Sequence, residues 1–242
     1  MIKRKHVKTI TVSVLLFFFF LLIGYSSYVK YEGAKLKDEN KTLKKQLDIA
    51  NEKIKEQRNL LDSQRDVDYK IEANATDSDV TVVAIHGGKI EKGTTELAYA
   101  LASHNNYSYY SFLGSKSNDN FSLHIPSDEF GETFALKMVS KSKRTISIHG
   151  CNGTEEFTYI GGRDTELANR IKKSLTKYGF IVKDTPKNLA GISTDNIVNR
   201  NINGRGVQIE ISNGLRTKFL STNKHSLKRY VLAISEAVNN NK

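Results

Sequence analysis

Val80-Thr81-Val82-Val83-Ala84-Ile85 runs without a break into His86-Gly87-Gly88-Lys89-Ile90-Glu91. The first six residues are β-branched or apolar on both faces, the pattern of a strand buried between two layers. Residues 144–148 (RTISI), leading into His149-Gly150-Cys151, and residues 206–211 (GVQIEI), with Glu210 inside, also read as strands. Residues 107–113 and 180–183 read as further strands. Between them lie helical patterns over 94–103, with Thr94 as N-cap, and over 129–140, 164–178 (ending at Gly179) and 226–239. Strands alternating with helices predict an α/β fold over 80–242: a three-layer domain around a mixed, largely parallel sheet. Residues 66–79, with the polar run from Ala73 to Asp79, read as a linker into it.

Upstream of the linker the chain changes character. Lys3, Arg4, Lys5 and Lys8 precede a run from Thr9 to Val29 that no charge interrupts. About 20 apolar residues cross a bilayer as a helix, so residues 10–29 read as a transmembrane signal-anchor behind a basic cytoplasmic head at 1–9. A cleaved signal peptide is the competing reading, but no small-x-small cleavage site follows. Over 32–65, apolar or neutral residues recur at Leu43, Leu47, Ala50, Ile54, Gln57 and Leu61, the a/d seam of a heptad repeat, with Asn40 at the preceding a position. This predicts a coiled-coil stalk able to form a homodimer, with a single solvated spacer helix as the alternative. The expected location is a single-pass protein of the cell membrane, with its N-terminus cytoplasmic and its folded domain extracytoplasmic.

Composition narrows the classes. Of 242 residues 38% are hydrophobic, which excludes a polytopic membrane protein and a low-complexity chain. One cysteine, Cys151, excludes an intrachain disulfide. The net charge of +11 is uneven: residues 1–65 hold 14 Lys and Arg against 7 Asp and Glu, leaving +4 for the remainder. With no aromatic-interleaved basic motif and no zinc-finger spacing, nucleic acid is not an expected partner.

Chemistry gathers at the strand ends. In open α/β sheets ligands bind outside the carboxyl ends of strands, where His86 and His149 stand on two separate strands. A catalytic zinc takes three N or O ligands and keeps one position open. His86, Glu91 and His149 supply such a set if Gly87 and Gly88 let the chain fold back, and Glu210 is then placed to act as general base. Each histidine also reads as a hydrogen-bonded strand-end residue with no ligand at all. A carboxylate inside an apolar strand is costly to bury unpaired, which favours a role for Glu210.

Six segments in order, HGGKIEKGTTELA from His86, SLHI from Ser122, SIHGC from Ser147, YIGGRD from Tyr159, NIVNRN from Asn196 and GVQIEIS from Gly206, together resemble the phage-type poly-gamma-glutamate hydrolase family, some members of which are named phage-related replication proteins. The resemblance covers about residues 70–242 and neither N-terminal segment. It implies a zinc carboxypeptidase-like fold and a zinc-dependent amidohydrolase of γ-glutamyl bonds. It also implies Zn²⁺ held by His86, Glu91 and His149, Glu210 as the catalytic carboxylate, and Asn199 with Arg200 as a substrate-carboxylate pair. Poly-γ-glutamate carries a carboxylate on every residue, and Arg forks grip carboxylates bidentately. Arg163, Arg200 and Arg205 are the expected grips, and His124 an expected donor to substrate. A γ-glutamyl hydrolase of cell-wall peptides and an anchored, non-catalytic binding protein are the alternatives.

Overall fold

The structure is a computed structural model describing residues 2–222 and 224–240, with side chains described for 21–56, 65–222 and 224–240. It divides into two units, Met1–Ser63 and Gln64–Lys242. The first is one helix, α1 (Ile2–Gln64), continuous through Gly33 where two elements were expected. Of the expected span at 10–29, residues 10–20 lie outside the described side chains. Among the described residues no helix is long and apolar enough to cross a membrane. In the heptad stretch Leu43, Leu47 and Ile54 are exposed, while Gln57 and Leu61 lie outside the described side chains.

The second unit is built on a seven-stranded mixed sheet of order β1-β3-β2-β4-β7-β5-β6. Its elements are β1 (Tyr69–Asn74), β2 (Val80–Gly88), α2 (Thr94–Asn105), β3 (Ser108–Gly114), α3 (Thr133–Lys141), β4 (Arg144–Cys151), β5 (Phe157–Gly162), α4 (Thr165–Lys177), β6 (Ile181–Lys183), β7 (Val207–Ser212), α5 (Asn213–Leu220) and α6 (His225–Asn239). The strands β3, β2, β4 and β7 run parallel, while β1 pairs antiparallel to β3 and β5 antiparallel to β7. Alternation sorts the side chains. Val82, Ala84, Ile146, Ile148, Val207, Ile209 and Ile211 form one apolar core with residues of α2, α4, α5 and α6, among them Leu97, Leu101, Ile171 and Ile234. The opposite residues Ser147, His149, Gln208 and Glu210 therefore share the other face, on which α3 and the 3₁₀ turn Ile197–Asn199 pack.

Three elements differ from the sequence reading. The expected linker contains β1: Tyr69 is 2% exposed and stacks on Phe112 at 4.4 Å between ring centroids, so the domain begins well before residue 80. β5 and α5 were not expected. Two helix starts also move. Glu132 caps α3 by accepting hydrogen bonds from the Phe134 and Ala135 amides, so that helix begins at Thr133 rather than 129. At α2, Gly93 is the N-cap and Thr94 the first helical residue, its hydroxyl donating to the Glu91 carbonyl at 2.8 Å.

Candidate functional site

The polar face of β2, β4 and β7 carries the site. By simple alternation His86 would follow Val82 and Ala84 into the helix-side core. Instead, three steps along β2 match two along β3, because Ala84 pairs with Ser111 and Gly87 with Leu113. One extra residue in a strand bends it and re-aims the side chains beyond, so His86 turns toward His149 on the opposite face. Both histidines lie inside their strands, not past the ends as the sequence suggested. Gly88 then adopts φ +63°, and a Cβ there would meet the Gly114 carbonyl at 2.6 Å. This turn doubles the chain back: the Glu91 amide donates to the His86 carbonyl at 2.9 Å, and the Glu91 carboxylate returns to the histidines.

His86 Nδ1 lies 3.2 Å from Glu91 Oε1 and 3.2 Å from His149 Nδ1. Each of the three residues offers a ligand atom, and the three atoms lie within 4.8 Å of one another. Bonds of about 2.0–2.2 Å in a tetrahedron put ligand atoms about 3.4 Å apart. The second nitrogens are anchored. His86 Nε2 meets the Ile125 carbonyl at 2.7 Å, and His149 Nε2 meets Ser147 Oγ at 2.7 Å. A carbonyl only accepts, so His86 Nε2 carries a proton, and when a cation is bound its Nδ1 presents a bare lone pair to it. Ser147 can accept as well, which lets His149 present a bare Nδ1 too. Two lone pairs facing at 3.2 Å repel unless a proton or a cation sits between them. Histidines that ligate metals are oriented in this way by an acceptor on the second nitrogen. The donor set of two imidazoles and one carboxylate therefore fits a divalent cation such as zinc.

Glu91 is doubly held. Its Oε2 accepts from the Gly150 amide at 2.7 Å, while Oε1 faces His86 and also His124 Nε2 at 3.2 Å. Burial alone would raise its pKa, but the hydrogen bonds from His124 and His86 override this and hold it well below the usual carboxylate range. Burial, then the His86 charge, push His149 down to about 3, so this imidazole is neutral. His124 stacks on His86 at 3.7 Å between centroids and is raised by its bond to Glu91. Glu210 is the register partner of His149 on β7 and is 5% exposed. Burial and then the Glu91 charge push it up to about 8, against a 2.9 Å hydrogen bond donated by Gln208 Nε2 to its Oε1.

These groups open onto a cleft of about 800 Å³ lined by His86, Glu91, His124, His149 and Glu210. The expected carboxylate grips are not among its lining residues. Arg163 Nη1 donates to the Ile192 carbonyl and Arg200 Nη2 to the Asp128 carbonyl, behind segments that form the cleft rim. Arg205 is exposed elsewhere, its carbonyl accepting from Asn201 Nδ2. Asn199 is 3% exposed and fully occupied: its Nδ2 donates to the carbonyls of Gly191 and Ser193, and its Oδ1 accepts from the Gly206 and Arg163 amides. It shapes the rim and has no donor free for substrate. The cations that do line the cleft are Lys187 and Arg216, joined by Tyr159 and Gln208. Sequence reasoning missed all four. Gln208 could have been found, because it stands two residues from Glu210 and so shares its face.

The family model described as poly-gamma-glutamate hydrolase matches residues 55–235. The chain is 37% identical over 176 residues to the SPbeta prophage-derived UPF0714 protein YoqZ of Bacillus subtilis (strain 168), covering 72% of this chain and 64% of YoqZ. It is 34% identical to the UPF0714 protein YmaC of the same organism, covering 71% of this chain and 73% of YmaC. This chain thus spans less than two thirds of YoqZ. Among solved structures it resembles a bacteriophage poly-gamma-glutamate hydrolase with TM-score 0.69 at 34% identity, covering 72% of this chain and 89% of that one. It also resembles the zinc-free apo form of YNDL with TM-score 0.67 at 34% identity, covering 72% and 90%. With more than half its length inside the family model, and His86 and His149 on two neighbouring strands with Glu91 on the turn after the first, the chain belongs to the poly-gamma-glutamate hydrolase family.

Proposed function

We propose that this chain is a zinc-dependent hydrolase that cleaves the γ-glutamyl amide bonds of poly-γ-glutamate. The observation that carries the reading is the meeting of His86 Nδ1, His149 Nδ1 and a Glu91 oxygen at one point beside an open cleft, with an acceptor fixing the second nitrogen of His86 and the Ser147 hydroxyl beside that of His149. Zinc held there supplies a Lewis acid and lowers the pKa of water toward neutrality. The rest is done by the chain. Glu210 takes the proton of the water that adds to the amide carbonyl, and it passes that proton to the amine nitrogen as the C–N bond breaks. A carboxyl whose charge is disfavoured by burial and by Glu91 binds a proton readily near neutral pH, as such a shuttle must. Gln208 orients Glu210, and His124, half-exposed against Glu91, is the donor that faces the substrate oxygen. Lys187 is the exposed cation on the rim for the substrate carboxylates.

The purified chain should shorten poly-γ-glutamate, lose this activity in a chelator and regain it when zinc is restored, read by gel filtration of the polymer. A metal-loaded chain inert on the polymer but active on γ-glutamyl wall peptides would move the substrate to the wall.

The uncharged run from Thr9 to Val29 behind four basic residues supports membrane attachment, with the catalytic unit outside and the heptad seam from Leu43 pairing two stalks. In cells the full chain should stay in the pellet after alkaline carbonate extraction and a chain lacking residues 1–29 should not. Release of the full chain into the supernatant would end the attachment.

A further inference from the structure

Arg216 is a buried cation, 7% exposed, whose hydrogen bonds run to backbone carbonyls and not to a carboxylate. It stands in the first turn of α5, and its three nitrogens donate to three backbone carbonyls: Nε to Ile211 at 3.0 Å, Nη1 to Lys92 at 2.6 Å and Nη2 to Cys151 at 3.4 Å. Those carbonyls belong to three different segments. Lys92 follows Glu91, Ile211 follows Glu210, and Cys151 lies two residues past His149. One planar fork therefore ties together the backbone under the carboxylate ligand, one imidazole ligand and the proton-carrying glutamate.

The glycines around it show how closely it fits. A Cβ on Gly150 would lie 2.6 Å from Arg216 Nε and 2.7 Å from its Cζ, so the guanidinium packs flat on the Gly150 backbone. A Cβ on Gly93 would lie 3.0 Å from the Arg216 Cβ. Gly150 is also the residue whose amide holds Glu91 Oε2. By gripping the carbonyls of Lys92 and Cys151, Arg216 fixes both ends of that contact, which leaves Oε1 to face His86.

We propose that Arg216 is a positioning residue: a carbonyl-gathering fork that sets the relative placement of Glu91, His149 and Glu210, acting on the metal through the Gly150–Glu91 contact. This rests on the metal reading given above. Five N–H donors in a rigid plane suit the task, and an ammonium on a flexible stem cannot reach three separated carbonyls at once.

The test uses the full chain with Arg216→Met and Arg216→Lys. Zinc affinity is read by competition with a chromophoric chelator, and ligand geometry by the visible spectrum of the cobalt-substituted protein. Supporting groups of metal ligands typically change affinity by about 10–100-fold. Arg216→Met should weaken zinc binding by at least about 10-fold, alter the cobalt bands and lower kcat more than it raises KM. Arg216→Lys should recover part of the affinity, because it restores at most part of the fork. A fork that matters only for folding would lower Tm and leave zinc affinity and cobalt bands unchanged in the folded variants, and that result overturns the proposal. Should Arg216→Met not fold, Arg216→Lys decides alone by the same readouts. A wild-type chain that binds one zinc but leaves the polymer intact would remove the substrate reading and not this inference. A wild-type chain that binds no zinc would remove both.

Discussion

Glu210→Gln should lower kcat by about 10²–10⁴-fold, the range that a positioned proton carrier contributes, while KM and zinc affinity stay near wild type. The amide keeps the size of the carboxyl and can still meet Gln208, but it cannot take a proton from water. The pH profile supplies a second reading. A base works only when deprotonated, so wild-type kcat/KM should rise with pH through the pKa of this group, and that acid limb should vanish from the residual activity of the variant. Stability should move the other way. Burial raises the folded pKa of Glu210 to about 8 from an ordinary value of 4.5. Ionisation therefore opposes folding, beginning above about pH 4.5 and growing until the folded group itself ionises near pH 8. Removing the ionisable group should raise the Tm of the zinc-free protein at pH 7, the trade expected where a destabilising group is kept for function. Retention of more than a tenth of wild-type kcat would rule out the role.

His149→Ala should abolish stoichiometric zinc binding and polymer cleavage together. It deletes one of three ligands, so the loss should exceed the roughly 100-fold that supporting groups alone can cost. The cleanest readout is thermal. A ligand present at 100 times its Kd stabilises the folded state by about 2.7 kcal/mol, and a domain of this size gains about 2–4 °C per kcal/mol. Saturating zinc should thus raise the wild-type Tm by about 5–10 °C and leave that of the variant unmoved. An equal rise in both would show that zinc binds elsewhere. Because His149 is buried and neutral, its removal leaves a small cavity and no unpaired charge, so the zinc-free variant should still fold.

The parts legible in the sequence were those whose physics is local. VTVVAI, RTISI and GVQIEI are short, largely β-branched and buried runs, so each reads as a strand, and His86 and His149 stand next to the ends of the first two. β1 escaped because an antiparallel edge strand needs only one covered face. In YKIEAN, Tyr69 is buried, Ile71 half-buried and the others exposed, which resembles a polar linker. β5 ends in two glycines whose role is close approach, since a Cβ on Gly161 would strike the Ala190 carbonyl at 2.4 Å, and their presence obscures the strand. α5 is short and holds Gly214, although Ser212 before Leu215 and Phe219 is a cap signal that could have been read. Arg216 was invisible for a deeper reason: its partners are backbone carbonyls, and no residue type announces those. The arginines expected to grip carboxylates were chosen for flanking glycines and asparagines. Those small residues serve tight turns such as that at Asn199, where the side chain spends its polar atoms on neighbouring backbone.

The shift in pairing between Ala84 and Gly87 has a consequence for comparing relatives. Whether an imidazole at this point serves the metal or the oily interior is decided by a count of links in the chain, odd or even, and not by which amino acids they are. Gain or loss of a single residue there would preserve the local composition and the surrounding sheet, yet send the ring of His86 among Leu97 and Leu101. A relative with a gap of one position in that short interval is therefore expected to lose metal binding even where every ligand residue type is kept.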